Sequence, residues 1–167
     1  MSVKNELTDY LYKYRGYPHF DREISQKSAQ IYVQNPRNIE SHPFYPFLKQ
    51  VQTTPRYNPK EHKTKNKKRP ILYASHTDSH IYAWYGQILN FHYEQLIKDS
   101  PIGECILAYR TLGKSNIHFA KEVFDQIEER DNCTALALDL SSFFDTIDHN
   151  NLKSAWCEVL GEQQLPL

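Results

Sequence analysis

The stretch ALALDLSSFFDTIDH, residues 135–149, joins an apolar run to one carboxylate, then to two aromatic residues and two more carboxylates. Small and aliphatic side chains without alternation read as a strand covered on both faces, over 134–139, with Asp139 at its solvent end. An anion where a buried strand gives out marks a functional position rather than a core one. Downstream, HNNLKSAWCEVL (149–160) predicts a helix capped by Asp148 and stopped at Gly161. Upstream, a helix opens at Ser115 with Ala120, Val123, Phe124 and Ile127 inward, and ECILAYR (104–110) is a second short strand candidate.

Further out, TDSHIYAWYGQILNFHYEQLI (77–97) carries Ile81, Trp84, Tyr85, Ile88, Leu89 and Leu96 on one helical stripe, with Thr77, Asp78 and Ser79 as N-cap candidates. RPILYAS (69–75) reads as a strand. Before it, PKEHKTKNKKRP (59–70) sets Lys60, Lys63, Lys65, Lys67, Lys68 and Arg69 against the single acid Glu61, and its flanking prolines predict a cationic loop. Taken alone, such a run is more often a solvated loop than a binding element. The first 55 residues read as helical, with Leu7, Tyr10, Leu11 and Tyr14 at helical spacing, a second segment near 21–34 and a third in SHPFYPFLKQV (41–51).

Composition narrows the class. The 167 residues are 40% hydrophobic, enough for one domain or two thin lobes. No apolar run approaches the ~20 residues that span a bilayer, and the N-terminus lacks a signal-peptide core, so the expectation is a cytoplasmic protein with no membrane partner. Three dispersed cysteines suggest neither a disulfide framework nor a zinc knuckle. A formal net charge of zero excludes a uniformly basic binder but not a local patch. His76, Asp78 and His80 have a spacing that a metal can exploit, without a third ligand pinned down nearby. A glycosidase pair of Asp139 with Asp145 or Asp148 would leave the cations unexplained. The twelve tyrosines read as core and interface rather than as a platform for bases.

Alternating strands and helices give α/β or α+β. Arg69 and Arg110 at strand ends, with Asp139 at another, suit a triphosphate chelated to Mg²⁺. KKRPILYASHTDSH (67–80) resembles the first fingers motif of reverse transcriptases, ILAYRTLGKSNIHFA (106–120) the second, and LALDLSSFFDTIDHNNL (136–152) the first palm motif. The three stand in family order. The resemblance implies an α+β right-hand polymerase: an N-terminal helical extension (1–60), a fingers-like region (61–133) and the first, incomplete part of the palm (134–167).

It further implies an RNA-directed DNA polymerase that uses two Mg²⁺ ions, an RNA template, a DNA primer and an incoming dNTP. Asp139 would be the catalytic carboxylate and metal ligand, with the Leu140 backbone also facing metal and triphosphate. Phe144 would lie under the sugar as a steric gate, with core packing as its alternative. Arg69 would clamp the triphosphate, with Lys67 or Lys68 as second candidate. Lys63, Lys65 and Lys67 would touch nucleic acid, and Arg110 would line the template side unless it is a buried ion pair. Asp145 and Asp148 are read as helix caps. The paired-Asp motif that completes such a site is absent from 161–167, so the expectation is a fragment, a truncated frame or half of a split enzyme, inactive alone and completed by a partner chain or C-terminal half. ASHTDSH (74–80) and the long N-terminus depart from intron-type sequences toward the bacterial antiphage defence enzymes. The competing reading is a catalytically inert module of the same family that binds nucleic acid or a partner chain; a palm-fold cyclase stands third.

Overall fold

The computed structural model describes residues 9–165. It is a mixed α plus β chain, in the order α1 (Gln26–Val33), α2 (Pro36–Glu40), β1 (Leu48–Asn58), β2 (Lys63–Tyr73), α3 (His76–Lys98), α4 (Asn116–Glu128) and α5 (His149–Leu160), with 3₁₀ turns at Gly103–Cys105 and Phe143–Thr146. Two compact units follow one another, the first ending at Ile88 and the second beginning at Leu89. The boundary read at 60/61 falls in the turn between β1 and β2.

In the first unit, Tyr10, Ala29, Val33 and Ile81 form the buried cluster, with Tyr12, Ile24, Tyr32, Ile39, Ala83 and Trp84 packed against it. The helix expected around 7–14 does not form over its described part: residues 9–25 are irregular and laid against the start of α3. Polar contacts replace helical bonds there. Gln87 accepts from the Leu11 amide at 3.0 Å and donates to the Asp9 carbonyl at 2.8 Å. The segment near 21–34 narrows to α1, capped by the Ser25 hydroxyl accepting from the Ser28 amide. The third expected helix is instead an irregular lead into β1, as its prolines permit. Ser75, rather than Thr77, Asp78 or Ser79, caps α3: its hydroxyl accepts from the Asp78 amide at 3.1 Å.

β1 and β2 form a two-stranded antiparallel ribbon, paired from Leu48↔Tyr73 at the base to Asn58↔Lys63 at the tip. Residues 59–70, expected as a loop, therefore supply only the turn and most of a strand. Pro55 and Pro70 are tolerated because each strand of a two-stranded ribbon is an edge.

In the second unit, α4 begins at Ser115, where a capping box pairs Ser115 with His118. α5 runs from an N-cap at Asp148, whose carboxylate accepts from the Asn151 amide at 2.8 Å, to Gly161 at φ +67°. Neither expected strand of this unit is present. Residues 104–110 are 3₁₀ turn and bends, and 133–140 form no ladder. Leu136, Leu138 and Leu140 are 79%, 85% and 71% exposed, so the run beside Asp139 is uncovered rather than buried. A strand needs a neighbour to satisfy its backbone, and none of the described residues pairs with this one.

Candidate nucleic-acid interface

Cross-strand partners in an antiparallel ladder share a face, and alternate residues take opposite faces. The register therefore puts Lys63, Lys65, Lys67 and Arg69 on one face of the ribbon, together with Arg56 opposite Lys65. The other face carries Tyr57, Pro55, Val51, Pro70 and Leu72, with Lys49 and Lys68 as its only described cations. Lys67 and Arg69 thus stand side by side along one surface, and Lys68 is turned away from them. All residues of 59–70 are exposed.

Lys65 directly opposite Arg56 is a like-charge pair, which destabilises a ladder in water. Glu61 meets Lys65 at 2.6 Å and offsets part of that repulsion. Arg56, Lys65 and Lys67 also border a concavity of about 410 Å³ near the tip. A surface that concentrates repelling cations is stabilised by whatever polyanion lies on it.

The base of the ribbon is set by buried polar side chains from α3. Asp78, 1% exposed, accepts from His42 Nε2 at 2.6 Å and from the Tyr45 amide at 3.0 Å. The other His42 nitrogen shares a 2.9 Å hydrogen bond with the Tyr32 hydroxyl. His76 donates from Nδ1 to Asp21 at 2.7 Å and from Nε2 to the Tyr17 carbonyl at 3.1 Å. Burial alone would raise the Asp21 carboxyl. Hydrogen bonds from His76 and the Thr77 amide, with the His76 charge, outweigh burial and hold the carboxyl below its ordinary value. His80 Nδ1 shares a 2.7 Å hydrogen bond with the Tyr10 hydroxyl, and burial, aided by the charges of Arg15 and His76, pushes its pKa down to about 4. The three residues weighed as a metal triad thus diverge into three separate hydrogen-bond sets, and among the described residues no group of three His, Cys, Asp or Glu side chains is placed to hold a metal ion. Sequence spacing gave no warning of the side-chain contacts of His76, Asp78 and His80, whose partners lie 33 to 70 residues away.

Asp139 lies in the second unit, exposed, beside a concavity of about 650 Å³ lined by Leu138, Leu140, Phe143, Phe144 and Asp145 among others. The Asp139 carboxylate and Leu140 carbonyl are hard oxygen donors of the kind Mg²⁺ takes, alongside water and phosphate. Ser142, at φ +53°, turns the chain between Asp139 and the 3₁₀ turn. The Phe144 ring meets Phe143 edge-on with centroids 5.3 Å apart and is 75% exposed. Asp148 caps α5 as expected; Asp145 sits within the 3₁₀ turn and caps no helix.

Arg110 makes an ion pair with Glu94 that is half-buried rather than buried. Its Nη2 reaches Glu94 at 2.9 Å, Nε bonds the same carboxylate, and Nη1 donates to the Gly103 and Ile106 carbonyls at 2.6 and 3.1 Å. The Arg110 hydrogen bond holds the Glu94 carboxyl below its usual range. The guanidinium pins residues 103–111 to the end of α3.

No helix of the described residues is long and apolar enough to cross a membrane. Neither a family model nor a curated protein matches the chain.

Proposed function

We propose that the chain carries the fingers ribbon and first palm motif of an RNA-directed DNA polymerase acting in the cytoplasm, of the bacterial antiphage type. The observation that carries this reading is the row Lys63, Lys65, Lys67, Arg69 on one face of a ribbon immediately ahead of an Asp-containing helix start. Arg69, with Lys67 on the same face, grips the triphosphate of the incoming nucleotide. Lys63 and Lys65 track template phosphates. Lys68, on the opposite face, is a weaker candidate for the same triphosphate. Arg110 acts through the segment it pins.

Asp139 and the Leu140 carbonyl are the residues that would hold Mg²⁺, which when bound neutralises the triphosphate and lowers the pKa of the primer 3′ hydroxyl. Phe144 lies under the sugar and excludes a 2′ hydroxyl by volume. The test is primer extension on an RNA template with Mg²⁺, using this chain together with the paired-Asp hairpin that the family motif calls for, on the same or a second chain. Asp139→Asn should abolish incorporation while leaving the melting temperature nearly unchanged, since exposed substitutions usually stay within about 0.5 kcal/mol. Retained incorporation by the variant would remove Asp139 from the site.

A further inference from the structure

Residues 9–24 form no backbone–backbone hydrogen bond with any described residue, so every tie that fastens this strap uses a side chain. Two grips hold it to α3, one on each side of Gly16. Ahead of Gly16, the Tyr10 hydroxyl bonds His80 Nδ1, the Tyr12 ring stacks on the same imidazole, and Tyr10 meets Trp84 edge-on at 6.2 Å. Single hydrogen bonds complete this grip: the Leu11 amide to Gln87, the Tyr12 hydroxyl to the Ile24 carbonyl at 3.1 Å and the Tyr14 hydroxyl to Glu23 at 2.7 Å. Beyond Gly16, Asp21 accepts from His76 and from the Thr77 amide, and the Tyr17 carbonyl accepts from the other His76 nitrogen.

The two grips meet acid differently. His80 is almost wholly buried, and the charges that act on it, Arg15 from the strap and His76 from its own helix, are both positive. Tyr10 and Tyr12 are the strap's other titratable groups in contact with it, α1 adds the uncharged Ala29 and Val33 to the cluster, and Asp78 is bonded to His42 and the Tyr45 amide instead. Burial and neighbouring charge thus both oppose a proton on His80 while the strap is down. At the second grip, His76 already donates from both nitrogens and the Asp21 carboxyl is held below its ordinary value, so mild acid breaks nothing there. A proton gained by His19, whose Nδ1 lies 2.9 Å from Asp21, would tighten that end.

We infer that residues 9–25 are an acid-opened latch: a proton on His80 lifts residues 9–15 from α3 and bares Ile81 and Trp84, while His76 and Asp21 keep residues 17–21 in place as the hinge end. The device stands whether or not the ribbon binds nucleic acid. With His80 at about 4 when covered and 6.5 when free, the equilibrium constant for lifting rises roughly twentyfold between pH 7 and pH 5. Openings of this kind are read segment by segment in amide hydrogen exchange.

The experiment is amide exchange of the full chain, followed by NMR at pH 7 and pH 5, with each rate divided into the intrinsic rate at that pH. The reporters are the Leu11 amide, bonded to Gln87, and the Thr77 amide, bonded to Asp21. Protection at Leu11 should fall roughly twentyfold between the two pH values while Thr77 keeps its own. His80→Gln, which offers Tyr10 an acceptor and takes no proton, should remove the fall at Leu11. If that variant does not fold, Arg15→Gln carries the test: with one of the two repelling charges gone, the fall should be smaller than in the parent. An equal fall at both amides would mean that the strap or the whole unit opens as one, and the inference fails. It fails equally if Leu11 is unprotected at pH 7, if its protection is the same at pH 5, or if a folded variant loses as much protection as the parent.

Discussion

Burial of His80 between the Tyr10 hydroxyl and the Tyr12 ring, which stacks on it with centroids 5.0 Å apart, excludes the cationic imidazole from the folded state. Its pKa falls from 6.5 to about 4, so between those values the unfolded chain binds a proton that the folded chain does not. Stability contributed by the neutral ring is complete above pH 6.5 and is lost as pH falls toward 4, by about 1–3 kcal/mol in total. The Asp21 contribution has the same sign but lies lower, since its depressed carboxyl must be protonated below its ordinary value. Urea melts at pH 7 and pH 5 should therefore show a loss for the parent, and a distinctly smaller one for His80→Gln, which retains an acceptor for Tyr10. Equal losses in the two proteins would assign the acid sensitivity elsewhere. None of this is visible in HTDSH as a string, because each partner belongs to a segment far away in sequence.

Helices in this chain were legible where local signals agree. α4 and α5 combine apolar spacing with Ser115 and Asp148 at their starts, and α5 ends at a glycine in the left-handed region. Asp148→Ala should cost about 1 kcal/mol through loss of the Asn151 bond, read as reduced helicity and melting of the second unit; an unchanged melt would mean that α5 is held by other contacts. Strands were less legible. The ribbon has the period-2 signal, but in charge rather than in hydrophobicity: Lys63, Lys65, Lys67 and Arg69 alternate with Thr64, Asn66 and Lys68. A reading built on apolar alternation takes that for a loop. Conversely, 134–139 has the composition of a strand and no ladder, because composition supplies side chains and not a neighbour for the backbone. Lysines on a ribbon with two open edges also discourage edge-to-edge pairing, a role that needs no ligand.

Across the whole chain, apolar content translates unevenly into core. The first unit buries Tyr10, Ala29, Val33 and Ile81 beside Ser75, His76, Asp78 and His80. Among described residues of the second unit only Ile97 and Gly103 are buried. The mix of periodicities showed that helices and strands are both present and left α/β and α+β open; the irregular polar strap of 9–25 was not readable, since its stability comes from side-chain partners on α3. The candidate site was legible as residue types at Arg69 and Asp139, whereas the face shared by Lys67 and Arg69 required the register. That face separates phosphate binding from protection of the edges. The deciding measurement is the salt dependence of single-stranded nucleic-acid binding by two variants, Lys63, Lys65, Lys67 and Arg69 to Gln on one face and Lys49 and Lys68 to Gln on the other. Phosphate tracking along the cationic face predicts that the first variant lowers the slope of log K against log salt by about 0.7 for each phosphate no longer neutralised, roughly 3 for all four, and that the second leaves it almost unchanged. Equal change per cation on the two faces, or no change in either, would contradict it.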